Sequence, residues 1–573
     1  MINHQEMSAD VSAKVNLVKS IANKCRGPYS SEKFGDVIIP MAIIRRFDCV
    51  LAEKNDEIES IVKKLQKMNV DEIQIEQAVK KQCGIPFYNK KCVTLEMIVG
   101  DSDNLNTNFL EFIKAYSPSI QAILTGLKFK EEVEFMIKKG ILFEVVKEFS
   151  QVDFHTDTTD SMTMGYIFEE IIRTYKANAE AGDHYTPREV IELCVDLMMS
   201  ESVEDFQKEG KILRAYDGCC GTGGMLTVLK RNMSDLNKNV RLYGQEINAQ
   251  SYAICCAEML MLGEEPKNIY EGDTLTDDHF RGEKFELLIT NPPFGYEWKT
   301  QKNTVESELK QPNNRFVAGT PRISDGQLLF LQNLISKMSN DARLAIILNG
   351  SPLFSGDAGS GESEIRRYVI ENNLLEAIVS LPDQMFYNTG INTYIWILSK
   401  KSSAKRGGKI QLINAVDFYG EQKPKSMGNK RKFIYPEHRE KIIELYQKAE
   451  SNEFSKLYDP SDFGYTKVTI ERPLYNESGE KVIKKGQVQI DPSKRDTENI
   501  PLKTDIDKYI ETEVLPYVPD AIADKSKNKI GYEIPFTRYF YKYTAPRSSE
   551  EIKSKILESE RSIEGVMKKV FEL

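Results

Sequence analysis

Residues 285–295 read FELLITNPPFG: an apolar run that stops at Asn291-Pro292-Pro293-Phe294. An amide, two prolines and an aromatic ring are suitable parts for gripping an exocyclic amine. The Asn291 side-chain oxygen and the Pro292 carbonyl are two acceptors in a stiff frame. Together they can take both amino hydrogens and draw off positive charge as the nitrogen becomes a nucleophile, without a strong base. Phe294 can stack on the base that carries the amine, a contact worth roughly 1–3 kcal/mol. The plain alternative is a proline-stiffened turn ending in a core phenylalanine.

Three further apolar runs end in residues that suit a nucleoside. The first ends in Asp217-Gly218-Cys219-Cys220-Gly221-Thr222-Gly223-Gly224, followed by the helical MLTVLKRNM. A glycine-rich turn between strand and helix lets backbone N–H groups approach a ligand closely. It departs from G-x-G-x-x-G, which disfavours a nicotinamide dinucleotide. The second run ends in Gln245-Glu246. A carboxylate there can accept two hydrogen bonds from ribose hydroxyls, or it is an ordinary surface glutamate. The third ends in Glu271-Gly272-Asp273, whose aspartate can accept from an adenine amino group. If these three ends hold a nucleoside, the fourth, at Asn291, faces the second substrate.

The elements that must carry these ends follow from the rhythm of the chain. From Lys211 the runs KILRAYD, VRLYGQE, FELLIT, ARLAIILN, LLEAIVSLP and TYIWILSK alternate with helical stretches. That alternation predicts an α/β fold with a mostly parallel sheet and helices on both faces. In such sheets ligands bind beyond the carboxyl ends of the strands. Residues 1–160 are predicted to form a helical N-terminal domain: Val11, Val15, Val18, Ile21, Ala22 and Cys25 recur at helical spacing, and VIIPMAIIRRF follows at 37–47. Residues 161–455 would be the α/β domain. Residues 456–573 read as a polar, irregular extension closing in a helix from Ser549, with Ser548 and Glu551 at capping-box spacing. Ile552, Ile556, Ile563, Met567 and Val570 form an apolar stripe on that helix, which packs back on its own domain or docks a partner.

Composition bounds the class. With 573 residues the chain has room for roughly three to four domains. No signal peptide or run of about 18 apolar residues is found, so a cytoplasmic protein with no membrane partner is expected. Nine cysteines without a C-x-x-C pair, and only five histidines, point to buried thiols and no metal. The net charge of −9 does not suggest a nucleic-acid binder, but residues 400–432 are rich in Lys and Arg. That stretch is either a solvated loop or a phosphate contact. Residues 356–363 (GDAGSGES) loosely match a phosphate loop but carry Glu362 where the lysine belongs, and are expected to form a flexible loop near the active site.

In this order, the strand ends resemble those of S-adenosylmethionine-dependent amino-methyltransferases. N-P-P-F resembles the catalytic motif of the N6-adenine DNA methyltransferases, and the closer similarity is to the modification (M) subunit of type I restriction–modification systems. Met164 to Arg173 (MGYIFEEIIR), and Gly182 to Arg188 (GDHYTPR), are similar to a family segment G-x-(F/Y)-Y-T-P-R that helps to hold the cofactor. YNTGINT at 387–393, and stretches at 495–521 and 529–543, also resemble the family.

The resemblance implies a Rossmann-like methyltransferase domain using S-adenosylmethionine. Asp183, His184, Tyr185, Thr186, Pro187, Arg188, Cys219, Cys220, Gly221 and Glu246 would bind the cofactor. Asp217 and Gly223 would shape its loop, and Asp273 would meet its adenine. Asn291, Pro292, Pro293 and Phe294 would be the catalytic motif for an adenine flipped out of double-stranded DNA. One departure is Asp217-Gly218, where the family has Asp-Pro. The partners implied are a specificity (S) subunit, commonly with two M per S, and, where cleavage occurs, a restriction (R) subunit. Docking falls to the N-terminal helices and the last helix. The alternatives are a methyltransferase acting on protein glutamine or ribosomal RNA amino groups, and an assembly subunit that binds DNA without catalysis.

Overall fold

The computed structural model describes residues 4–30, 33–176, 186–201, 206–207, 210–233, 239–386, 389–401, 405–421, 430–541 and 548–571. Asp183, His184 and Tyr185 of the expected cofactor segment, with Tyr387, Asn388, Lys423 and Lys425, lie outside the described residues; the side chains of Met567 and Val570 do too. The chain divides into two units, Met1–Ile534 and Pro535–Leu573.

In the first unit, helices fill the chain from His4–Ala22 to Leu142–Ser150. The segment VIIPMAIIRRF lies inside Phe34–Ala52, a helix buried on nearly every side. A helix apolar all round belongs in a core, and its two arginines are buried against carbonyl and carboxylate acceptors. Arg45 bonds to the Val152 carbonyl and Asp48, and Arg46 to the Phe154 and Thr159 carbonyls. Helix Pro118–Gly126 packs against Ala249–Met261 of the α/β region; a Cβ at Gly126 would lie 2.9 Å from that of Ala253.

The α/β region is built on nine strands: β1 (Leu213–Asp217), β2 (Val240–Glu246), β3 (Ile269–Glu271), β4 (Phe285–Thr290), β5 (Met338–Asn349), β6 (Leu375–Ser380), β7 (Thr393–Ser399), β8 (Ile410–Asn414) and β9 (Ser455–Tyr458). Their order is β9-β8-β6-β7-β5-β4-β1-β2-β3. The pairs from β3 to β5 and β6–β8 are parallel, while β7 runs antiparallel between β5 and β6. β6 and β7 are buried on both faces along their whole length, which is why they read as nearly unbroken apolar runs. The order reverses between β1 and β4. At such a switch point neighbouring loops leave in opposite directions and open a crevice at the strand ends.

Residues 464–532 differ from the irregular extension expected. They form a three-stranded antiparallel sheet of β10 (Gly464–Glu471), β11 (Asp496–Pro501) and β12 (Ile522–Tyr532), with β10 central. A small core of Val468, Ile470, Ile500, Ile510 and Val514 supports it. The polar outer faces conceal the alternation. Arg366, 1% exposed, pins this sheet to the α/β region: it donates to the carbonyls of Tyr532 (2.6 Å), Ser355 (2.8 Å) and Pro352 (3.1 Å). The 356–363 turn is packed here and not a free loop: Lys467 pairs with Asp357, and a Cβ at Gly361 would fall 1.7 Å from the Thr320 carbonyl oxygen.

The second unit contains the helix Ser549–Phe571. Ser548 Oγ accepts from the Glu551 N–H, and Ile552, Ile556, Leu557 and Ile563 are exposed.

Candidate active site

The crevice is lined by the ends of β1, β2, β3 and β4. Asp217, at the end of β1, is 1% exposed. Its Oδ1 accepts from the Cys219 N–H (2.9 Å) and the Thr290 hydroxyl (2.6 Å), tying β1 to β4 directly before Asn291. Its Oδ2 is buried without a hydrogen-bond partner among the described residues. Burial pushes the carboxyl up to about 7, against the Thr290 and Cys219 hydrogen bonds, and the Glu246 charge adds to the rise.

The glycine turn is held from below. Gly221 and Gly223 have φ of +53° and +94°, a backbone region that L side chains adopt only with strain. A Cβ on Gly223 would also lie 2.9 Å from Cys255 Sγ. Cys220 is buried with its sulfur 4.0 Å from that of Cys255, while Cys219 packs towards Leu275 and Trp298. Burial raises the Cys219 thiol, and the Cys255 contact followed by burial raises Cys220, so both are neutral packing groups. Glu246 accepts from the Gly221 N–H and the Asn248 N–H, each at 2.8 Å. It therefore braces the turn. Asp273 accepts from the Leu275 N–H (2.9 Å) and Gln301 Nε2 (2.8 Å).

At the end of β4, Asn291 Nδ2 donates to Thr186 Oγ1 at 2.9 Å. The Y-T-P segment thus reaches the N-P-P-F motif itself. Pro292 is buried and Pro293 half-buried. Phe294 is half-buried and meets Phe386 edge-to-face at 5.8 Å. Pro187 precedes the helix Arg188–Met199. The Arg188 guanidinium is taken up by Glu169 (3.1 Å), Glu192 (3.2 Å) and the face of Tyr166 (3.3 Å), so its visible contacts anchor helices.

Several residues that shape the site were not singled out in the sequence. Lys430, from the basic stretch, is 2% exposed, pairs with Glu189 and donates to the Met385 carbonyl (2.9 Å). It clamps the segment beside Thr186 to the segment beside Phe386. Arg406 is equally buried, paired with Glu201 and Glu376. These two cations are internal struts, which corrects the choice between solvated loop and phosphate contact for that part of the stretch. Arg315 donates to the Thr274 and Leu275 carbonyls (2.7 and 2.9 Å) while held by Glu308, fixing the loop after β3. None of these carried a signal beyond its charge, because Lys430 and Arg406 pair with Glu189 and Glu201 far away in sequence and Arg315 bonds to carbonyls some forty residues before it.

A Rossmann-like sheet with acidic strand tips at its switch point, and an Asn-Pro-Pro-Phe turn beside them, fits the class of nucleoside-dependent methyltransferases. The N-6 DNA methylase family matches residues 159–480, and the HsdM N-terminal domain matches 15–149. The chain belongs to the N-6 DNA methylase family, and it is of the type I modification-subunit kind, an adenine-N6 DNA methyltransferase. It is 24% identical over 486 residues to the type I restriction enzyme MjaIX methylase subunit of Methanocaldococcus jannaschii, covering 79% of this chain and 80% of the relative. It is 29% identical over 262 residues to the HindI methylase subunit of Haemophilus influenzae, covering 44% of this chain and 54% of the relative. The type I methyltransferase subunit structure from Streptococcus thermophilus superposes with a TM-score of 0.64 at 18% identity, covering 79% of this chain and 97% of that one, and shares the fold. Family and fold imply S-adenosylmethionine as methyl donor. No helix among the described residues is long and apolar enough to cross a membrane.

Proposed function

We propose that the crevice at the ends of β1 to β4 binds S-adenosylmethionine and that Asn291-Pro292-Pro293-Phe294 presents to it an adenine flipped out of duplex DNA. The residues fit that donor. Asp217 Oδ2 is a buried, unpaired acceptor suited to a cationic ligand, and Gly221 leaves open space where a Cβ would stand. Asp217, Glu246 and Asp273 would hold the cofactor's cationic and nucleoside parts. When bound, it supplies an electrophilic methyl group.

The single observation that carries the assignment is the Asn291 to Thr186 hydrogen bond, next to the Asp217 to Thr290 contact. With its nitrogen on Thr186, the Asn291 amide turns its oxygen, with the Pro292 carbonyl, to the hydrogens of the target amine. As N6 forms its new bond these two acceptors stabilise the growing positive charge. Phe294 stacks on the extruded base and helps to offset the few kcal/mol of flipping. The rest is positioning, which can lower a barrier by roughly 7–11 kcal/mol.

Site choice falls to a specificity subunit, with two copies of this chain per S. The exposed stripe Ile552, Ile556, Leu557 and Ile563 supports a docking role for the last helix. A restriction subunit would join where cleavage occurs. Replacing Asn291 by Ala tests the assignment: transfer is lost while calorimetric affinity for S-adenosylmethionine stays within about twofold. Undiminished adenine methylation by that variant overturns it.

A further inference from the structure

Gln301 stands at the N-cap position of helix Lys302–Leu309, yet its side chain does not cap that helix. It turns inward and is 6% exposed. Its Nε2 donates to Asp273 Oδ2 (2.8 Å) and to the Tyr296 hydroxyl (2.6 Å). The Asp273 carboxylate fixes the amide's orientation, because an oxygen turned towards it would set two acceptors face to face. The amide oxygen, Oε1, is then left buried with no donor among the described residues. A buried acceptor next to a carboxylate already assigned to an adenine amine points to a ligand with a second hydrogen to give.

We infer that Gln301 Oε1 is the second acceptor for the amino group of the cofactor's adenine. This rests on the proposal that Asp273 meets that base. An exocyclic amine offers two hydrogens in one plane, and a single carboxylate oxygen satisfies one. Asp273 and Gln301 form an acceptor pair whose spacing is locked by their own hydrogen bond. A 6-oxo purine presents an acceptor to the same pair and is rejected by both. The arrangement has a second consequence. Tyr296 lies two residues beyond Phe294, and its backbone carbonyl accepts from the Gly326 N–H (2.8 Å). The amide that reads the cofactor's base therefore also holds the loop that follows the target-base motif. Gln301 is a specificity-determining residue for the cofactor and a positioning residue for that loop.

The test is calorimetry on the full chain with S-adenosylhomocysteine and with its 6-oxo (inosine) analogue. The wild-type protein should prefer the amino compound. Gln301→Met, which keeps length but offers only a weakly accepting sulfur, should weaken the amino compound by roughly 5–10-fold and leave the analogue within about twofold. Binding of the analogue also reports that the variant site is folded. Equal weakening of both ligands by Gln301→Met, or no weakening of either, overturns the inference. Asp273→Ala separates the layers. If it abolishes the amino preference while Gln301→Met leaves it intact, Gln301 alone is wrong. If Asp273→Ala leaves the preference unchanged, the placement of the base itself fails.

Discussion

Thr186→Val isolates the contact on which the catalytic assignment depends. Thr186 is 8% exposed, and its hydroxyl is the acceptor for Asn291 Nδ2 at 2.9 Å. Valine has nearly the same shape, so no cavity opens; what is lost is the acceptor. A buried N–H then loses its partner, costing about 1–3 kcal/mol in the orientation that turns the Asn291 oxygen to the amine. If the penalty falls on the transition state, the transfer rate drops roughly 5–150-fold. The assay is single-turnover transfer of a labelled methyl group to a cognate duplex by the chain assembled with its specificity subunit. Cofactor affinity should change by less than about twofold, because the Asp217 and Glu246 contacts are untouched. Thr186→Ser, which restores the hydroxyl, should recover most of the rate. An unchanged rate in Thr186→Val would refute the reasoning. So would a loss confined to cofactor affinity, which would place Thr186 with the cofactor alone.

Three further outcomes are expected. The Asp217 carboxyl titrates at about 7 when folded against 3.8 as its ordinary value, with burial as the main cause and Glu246 and Cys219 facing it. Its contribution to stability is therefore full below about pH 3.8, declines as pH rises towards 7 and is level above; Asp217→Asn should flatten that slope by up to about 4 kcal/mol in denaturant melts. Gly223→Ala combines a φ of +94° with a Cβ 2.9 Å from Cys255 Sγ, so S-adenosylhomocysteine affinity should fall roughly tenfold or more, read by calorimetry. Arg366→Met leaves the carbonyls of Tyr532, Ser355 and Pro352 without their donor. It should destabilise the protein by roughly 3 kcal/mol or more, with amide exchange rising first in β12.

The strands that carry the site were legible because a sheet buried on both faces writes continuous apolar runs. VRLYGQE and FELLIT coincide with β2 and β4, and their last residues are the ones that reach the crevice. β8 was hidden inside a stretch dominated by Lys and Arg, although IQLIN itself is almost wholly buried. The three-stranded sheet was hidden for the opposite reason. Only one face of β10 is buried, and β12 (IADKSKNKIGY) is polar through most of its length. At the site, the strand-tip carboxylates and N-P-P-F were visible as residue types at the ends of runs. Their partners were not. Thr186 and Asn291 are 105 residues apart, and Lys430 and Glu189 are 241 apart. No local pattern encodes such pairs; they exist only once the sheet order has brought two loops together. Arg188 and Glu246 show the converse. The family resemblance gave Arg188, and residue type gave Glu246, to the cofactor, and the structure engages them in bracing helices and the glycine turn.

The central claim is adenine-N6 methylation by the Asn291 motif at a site chosen by a partner. Long-read sequencing of DNA from cells expressing this chain with and without a candidate specificity subunit, alongside Asn291→Ala with that subunit, tests it most directly. The account expects N6-methyladenine at a split recognition site only when the wild-type chain and the partner are both present. Methylation by the Asn291→Ala protein, or the same methylation without the partner, would contradict it.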